Sequence, residues 1–372
     1  MKKINLFKSL LALAISLTLA HCTSEDPIPG PAGTQGTAGT NGTNGTNGLA
    51  GANGDNICLR CHNADFRVIQ PATFALTPKK GSLLRGTTYC KNCHTDDGYK
   101  LYAAKGFTNM KDISGPDGIV GITCTTCHSG GHGSAAAAIS GVDAALRNGS
   151  SAVVFTEQWV AGTSDIIDFK NNSNTCVTCH QPRDPYRTQI TTNPDGTINI
   201  ITSRPGPHYG TQTVLLEGFF AHEISGTVAY PAKGSGAHRK GASCVKCHMG
   251  AASTDKLSGN HSFKPVLDNC KTCHTGAGVI NYDINGGQTK IKNLMKDLAK
   301  EINRVAPLWT LDVDGALVVP SSQTSRNNMK DVVAKAIWNY RMLYYDHTYG
   351  LHNPKYAEAL LKNTIAALKL LP

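Results

Sequence analysis

The sequence Cys-Xaa-Xaa-Cys-His occurs six times in this chain of 372 residues, and no other feature constrains its fold so strongly. Two thiols three residues apart can add across the two vinyl groups of one haem, and the imidazole that follows can bind the iron as proximal ligand. The motifs therefore predict six covalently bound c-type haems (haem c). In chain order their cysteines and histidines are Cys58, Cys61 and His62; Cys90, Cys93 and His94; Cys124, Cys127 and His128; Cys176, Cys179 and His180; Cys244, Cys247 and His248; and Cys270, Cys273 and His274.

Zinc sites and disulfide scaffolds also use Cys-Xaa-Xaa-Cys. Zinc would require the cysteine pairs to combine in fours, and neither alternative explains a histidine after every second cysteine. Only 14 of the 372 residues are histidine, so six such coincidences are far beyond chance. The pattern favours haem.

Composition predicts a thin apolar core, because only 6% of the residues are aromatic and 38 are glycine. Six porphyrins can replace the missing core. The motifs begin 32, 34, 52, 68 and 26 residues apart, which excludes a regular repeat. We therefore expect a mostly irregular and α-helical multihaem fold with little β-structure, in which the haems form the core. Its parts are a hexahaem region at 57–280 and a C-terminal helical region at 281–372.

The N-terminus predicts export. Residues 1–21 carry three lysines and an apolar run from Leu10 to Ala20, which is typical of a signal peptide. Haem c is attached outside the cytoplasm in bacteria, so export agrees with the motifs. Cys22 follows in a context that resembles a lipoprotein signal, although His21 departs from it and cleavage after Ala20 stays open. We expect an outer-membrane lipoprotein or a cell-surface protein, with the periplasm as the alternative.

Residues 22–56 form a separate segment. Every third residue from Gly30 to Gly54 is glycine, which is the collagen period. Proline is nearly absent beyond Pro29 and Pro31, so a flexible stalk is favoured over a local trimer.

Periodicity predicts the elements of the tail. A hairpin is expected at 190–202, a second one at 309–319 around Asp314 and Gly315, and a helix at about 328–345. Two further helices are indicated by apolar residues at helical spacing. The first contains Ile291, Leu294, Leu298, Ile302 and Val305, and the second begins at Asn353 and Pro354 and contains Tyr356, Leu360, Leu361, Ile365 and Leu368.

A low-spin haem needs a second, distal axial ligand. Apart from His21 and the proximal residues, seven histidines face six irons: His132, His208, His222, His238, His261, His347 and His352. Methionine is a weaker alternative, with Met110 the one loose candidate. His132 follows His128 by only four residues and should serve a neighbouring haem, and the same holds less strongly for His238 before Cys244.

The net charge does not imply a nucleic-acid partner. The chain carries +10, and removal of Lys2, Lys3 and Lys8 leaves +7. Haem propionates bring the oxidised protein to roughly +1 and the reduced protein to about −5.

Several motifs resemble those of multihaem c-type cytochromes: Pro207-His208-Tyr209-Gly210, Ala237-His238, His261-Ser-Phe-Lys-Pro265 and Gly350-Leu-His352-Asn-Pro354. The likeness is to outer-surface hexahaem, filament-forming electron-transfer cytochromes, and the tail resembles pentahaem nitrite reductase and its octahaem relatives. The resemblance implies His208, His238, His261 and His352 as distal ligands, and His132 joins them from its Cys-His-Ser-Gly-Gly-His setting. The sixth is His222 or His347, or a ligand from a neighbouring subunit.

Two functions follow. The first is an electron carrier, not an enzyme, that passes electrons along bis-His haems to redox proteins or extracellular acceptors and is anchored to the outer membrane by lipid. The resemblance to filament-forming cytochromes adds a homopolymer as one form of this carrier. The second is a reductase of nitrite, hydroxylamine or sulfur oxyanions with one five-coordinate haem, for which Arg183, Arg187 or Arg204 would supply positive charge. Nitrite reductase attaches its catalytic haem through a motif that ends in lysine, and all six motifs here end in histidine, which disfavours the reductase.

Overall fold

The structure, a computed structural model, describes residues 90–107, 120–129, 146–148, 152–154, 166–181, 190–251, 253–255, 257–276 and 279–372. The chain divides into two units, residues 1–54 and 55–372, and every described residue lies in the second. The predicted signal peptide, Cys22, the stalk, the motif at Cys58, Cys61 and His62, and also Met110, His132, Arg183 and Arg187 lie outside the described residues.

The described part is helical and irregular, with only short strands, as the sequence predicted. Within those ranges, none of the helices has the length and apolar character that a membrane crossing needs. The helices are α1 Lys91–His94, α2 Asp96–Ala104, α3 Cys124–Cys127, α4 Asn174–Val177, α5 Gln212–Glu217, α6 Ala237–Gly241, α7 Cys244–His248, α8 Leu267–Lys271, α9 Gly287–Val305, α10 Asp331–Asp346 and α11 Pro354–Lys369.

Five of the short helices, α1, α3, α4, α7 and α8, overlap the attachment motifs. A single helical turn brings residues i, i+3 and i+4 to one face, which is the spacing of the two cysteines and the histidine. The backbone closes these turns: the amide of His180 donates to Cys176 O at 2.9 Å, and that of His274 to Cys270 O at 2.8 Å. Each of these motifs therefore presents both thiols and the imidazole on the same side.

Two antiparallel hairpins interrupt the helices. Strands β1 Val153–Val154 and β2 Ile166–Ile167 form the first. Strands β3 Ile190–Thr192 and β4 Ile198–Ile200 form the second, which confirms the hairpin predicted at 190–202. Gly196 closes its turn with a φ of +80°, a conformation that glycine adopts without strain.

The predicted turn at 309–319 is also present. Leu311 and Leu317 pair as an antiparallel bridge, and the amide of Asp312 donates to Ala316 O at 3.0 Å. Gly315 has a φ of +80°, as the Asp-Gly pair indicated.

Helices α9, α10 and α11 pack against one another and hold most of the apolar core. The predicted apolar positions of α9 and α11 are buried or half-buried, and Leu298, Ile302, Leu360, Leu361 and Leu368 are fully buried. The second tail helix begins at Asp331, not at about 328, because Lys330 still has an extended backbone. Helix α5 packs on α10 and joins this core to the motif region.

Candidate haem-binding site

A cavity of about 2790 Å³ lies among the attachment motifs. Pockets for one small molecule measure roughly 300–1,000 Å³, so this space suits several large cofactors. All five described motifs contribute to its wall, through Cys90, Cys93, His94, Cys124, Cys127, His128, Cys176, Cys179, His180, Cys244, Cys247, His248, Cys270, Cys273 and His274. Among the described residues, no three or more His, Cys, Asp or Glu side chains are grouped so that they could hold one metal ion.

Polar contacts hold several of the motifs side by side. Cys93 Sγ lies 3.8 Å from Thr178 O, and the amide of Val245 donates to Ser173 Oγ at 3.2 Å. A hydrogen bond with Cys176 lowers the pKa of the Cys244 thiol. Asn269 Nδ2 donates to Cys247 O at 3.2 Å, which joins the last two motifs. Groups attached at these cysteines would therefore lie next to one another.

The motif at Cys124 is tied to the one at Cys90 through Asp96 at the start of α2. Its Oδ1 accepts hydrogen bonds from Thr126 at 2.6 Å and Thr123 at 3.0 Å, and its Oδ2 accepts one from Lys100 at 2.5 Å. Burial works to raise the pKa of Asp96, but these hydrogen bonds and the charge of Lys100 outweigh it and lower the pKa. The charged carboxylate thus fixes two motifs together.

Four imidazole pairs span the cavity, each joining a motif histidine to a histidine predicted as a distal ligand. The ring centroids of His94 and His208 are 6.4 Å apart, and those of His128 and His261 are 6.1 Å apart.

The other two pairs have the same separation: His274 and His238 lie 6.1 Å apart, and His248 and His352 lie 6.5 Å apart. A metal–nitrogen bond to histidine is about 2 Å long, and the centre of the imidazole ring lies about 1.2 Å beyond the nitrogen. Two imidazoles that bound one iron from opposite sides would therefore have their ring centres about 6.4 Å apart. The pairs therefore fit iron held between two histidines.

The pairing is long-range in the sequence. His238 lies close before Cys244, yet its ring faces His274 of the last motif, and His261 faces His128 and not the motif that follows it. Burial lowers the pKa of His261, and the charge of His128 lowers it further, which favours the neutral imidazole that binds metals.

The Nδ1 atoms of several motif and distal histidines have defined acceptors, which leaves Nε2 for a metal. His238 Nδ1 donates to Leu351 O at 2.6 Å, and His248 Nδ1 donates to Phe263 O at 2.8 Å. His180 Nδ1 lies 3.2 Å from Gln212 Oε1.

His352 differs, because its Nδ1 lies 2.5 Å from the carboxylate oxygen Oδ1 of Asp346. Burial works to lower the pKa of His352, but the charge and hydrogen bond of Asp346 raise it.

The two candidates for the sixth distal ligand lie in different places. His347 lines the large cavity, at the C-terminal end of α10. His222 lines a smaller cavity of about 110 Å³, where its ring meets Trp338 edge-on at 5.6 Å. The backbone of His222 is held by Asn339, which accepts from its amide and donates to its carbonyl, both at 2.9 Å.

Cationic side chains also reach the large cavity. Arg204, one of the arginines predicted to supply positive charge in the reductase alternative, is on its wall. Sequence reasoning missed Arg341, Gln212 and Asp346, which line it too. Arg341 Nη1 donates to Leu317 O at 2.9 Å, and its guanidinium lies 5.1 Å from the centre of the Tyr345 ring. These side chains belong to no recognisable motif, so no sequence pattern indicated them.

Residues 232–369 match the family model described as cytochrome c552. The C-type polyheme cytochrome OmcB of Geobacter sulfurreducens, in two strains, is 25% identical over 228 residues, which are 50% of this chain and 29% of that protein.

Solved structures resemble the chain more distantly. The outer cell wall cytochrome OcwA shows 18% identity and a TM-score of 0.46 over 80% of this chain and 50% of its own. Cytochrome c nitrite reductase from Desulfovibrio desulfuricans shows 14% identity and a TM-score of 0.33 over 81% of this chain and 68% of its own.

Proposed function

We propose that this chain, a multihaem c-type cytochrome by its attachment motifs and its relatives, carries electrons along six bis-His haems to an outer-membrane or extracellular acceptor. The observation that carries the proposal is the set of four histidine pairs, 6.1–6.5 Å apart, around one cavity. If both histidines of a pair bound the same iron, they would leave no open position on it for a substrate.

The proposed ligand set extends these pairs to the whole chain. Proximal ligands are His62, His94, His128, His180, His248 and His274, and the distal ligands are His132, His208, His238, His261, His352 and one more. Its place on the large cavity supports His347 over His222 as the last ligand.

The chain's own residues would set how the haems work. Haem, when bound, supplies an iron that gains and loses one electron. The cysteines fix each group covalently, the Nδ1 acceptors orient the imidazoles, and Arg204 and Arg341 place positive charge where propionates can meet it. The contacts between neighbouring motifs support haem–haem spacings short enough for electron transfer.

The cellular setting is also proposed. An exported lipoprotein anchored through Cys22, with residues 22–56 as a stalk, would hold the haem region at the outer membrane or cell surface. Its partners would be other redox proteins, extracellular acceptors and further copies of itself in a polymer. Electron microscopy of surface preparations tests the last point, since isolated monomers at high concentration would argue against it.

Two measurements test the electron-carrier proposal. Mass spectrometry of the mature protein should find six covalent haem additions. Low-temperature electron paramagnetic resonance of the oxidised protein should show only low-spin haems, because every iron has two imidazoles. A sizeable high-spin signal that changes with nitrite would contradict the carrier and favour the reductase alternative.

A further inference from the structure

Asp346, the last residue of α10, has a side chain that is completely buried, with 0% of its surface exposed. Its Oδ1 lies 2.5 Å from His352 Nδ1, and its Oδ2 accepts a hydrogen bond from the hydroxyl of Thr348. The carboxylate therefore contacts Nδ1 of a proposed distal ligand, which leaves Nε2 of that imidazole for an iron.

The other proposed ligands with a described Nδ1 acceptor meet neutral groups. His238 and His248 donate to the backbone carbonyls of Leu351 and Phe263, and His180 faces the amide of Gln212. A buried carboxylate is a different kind of acceptor. It fixes the tautomer, as a carbonyl does, and it also adds a full negative charge in a place where water screens little.

That charge should act on the iron. A hydrogen bond from Nδ1 to a carboxylate makes the imidazole a more basic ligand, and nearby negative charge favours the ferric over the ferrous state. A merely structural ion pair would hold the turn at 346–352 in shape without altering the electron affinity of the haem. The two roles therefore differ in a measurable quantity.

We propose that Asp346 is a positioning residue that orients His352 toward His248 and lowers the reduction potential of the haem on Cys244 and Cys247. This inference rests on the proposed function, because it requires His248 and His352 to share one iron. The charge of Asp346 would make this haem harder to reduce than a neutral hydrogen-bond acceptor at the same position would.

The test is a spectroscopic redox titration of the holoprotein with Asp346→Asn. Asparagine has the same shape and keeps an acceptor for His352, but it removes the charge. At a fixed potential we expect the ratio of reduced to oxidised haem at one site to rise about tenfold, which is about 59 mV upward for a one-electron couple. His352→Ala, which frees the distal position of that haem, identifies its transition.

Asp331→Asn is the matched control, since it removes the same charge at the other end of α10, where Asp331 pairs with Lys335 on the surface. It should leave every potential unchanged. An equal shift in both variants, or no shift in Asp346→Asn with all haems low-spin, would overturn the inference. A wild-type protein without bis-His haems would overturn the proposed function instead.

Thr348→Val supplies a second test if Asp346→Asn does not take up its haems. This variant keeps the Asp346 carboxylate but removes the hydroxyl that donates a hydrogen bond to it. Because that hydrogen bond partly offsets the negative charge, its loss should lower the reduction potential of the same haem. An unchanged or higher potential would count against the role of Asp346.

Discussion

His238 gives the sharpest test of the histidine pairing at the scale of single residues. Its ring lies 6.1 Å from that of His274, although it stands much nearer to Cys244 in the chain. We expect His238→Ala to leave one haem high-spin, that on Cys270 and Cys273, as seen by electron paramagnetic resonance. His222→Ala should leave all haems low-spin, because His222 lies beside Trp338. The reverse result would show that the pairing is wrong.

Asp168, which lies just before α4, should make stability depend on acid pH. The side-chain hydrogen bond from Lys170 and then that from Asn174 lower the pKa of Asp168 to about 2, from an ordinary value of 3.8. Because the pKa of Asp168 is lower in the folded protein, its ionised carboxylate stabilises the fold at every pH above the ordinary pKa. This stabilisation is lost as the pH falls from about 4 toward 2.

The variant Asp168→Asn should therefore lose about 1 kcal/mol at neutral pH, since Lys170 is largely exposed and its charge is screened. Its unfolding midpoint in denaturant should also fall less than that of the wild type between pH 4 and pH 2. Asp314→Asn, at an exposed turn, serves as the control. Parallel pH curves for wild type and Asp168→Asn would exclude this role.

Among the elements, α11 depends on its first residues. Asn353 is buried, and its Oδ1 accepts a hydrogen bond from the amide of Tyr356 at 3.3 Å. Asn353→Ala should lower the free energy of unfolding by about 1–2 kcal/mol, because the cap acceptor is lost. Asn353→Ser keeps an acceptor and should cost less. Denaturant unfolding followed by circular dichroism measures both, and equal losses would argue against capping.

The elements also show how far the sequence could predict this molecule. The attachment motifs, the hairpin at 190–202 and the tail helices follow from local spacing, so the sequence predicted them. The ring pairs do not, because which histidine meets which motif depends on contacts between distant segments. Asp346 was missed for the same reason: only the turn at the end of α10 brings its carboxylate to His352.

At the scale of the whole molecule, the apolar core and the motif region should differ in their need for haem. Helices α9, α10 and α11 bury their own apolar side chains, whereas the motifs surround a cavity of about 2790 Å³. Protein made without haem attachment should keep the helices at 287–369 but lose protection from proteases at the five described motifs, because an empty cavity of this size is costly. Limited proteolysis with mass spectrometry measures this, and equal protection of both regions would contradict it.

The histidine pairs also carry a consequence for biogenesis. The ring of His94 lies near that of His208, the ring of His128 near that of His261, and the ring of His248 near that of His352. In the proposed ligand set, these three haems would each join an early proximal ligand to a distal ligand that comes much later in the chain. A polypeptide emerging on the far side of the membrane would receive its porphyrins before their second ligands had arrived. Maturation would thus pass through half-ligated intermediates, and a nonsense mutation that removed only the last helix and the turn before it would leave an upstream iron exposed to oxygen and to small ligands.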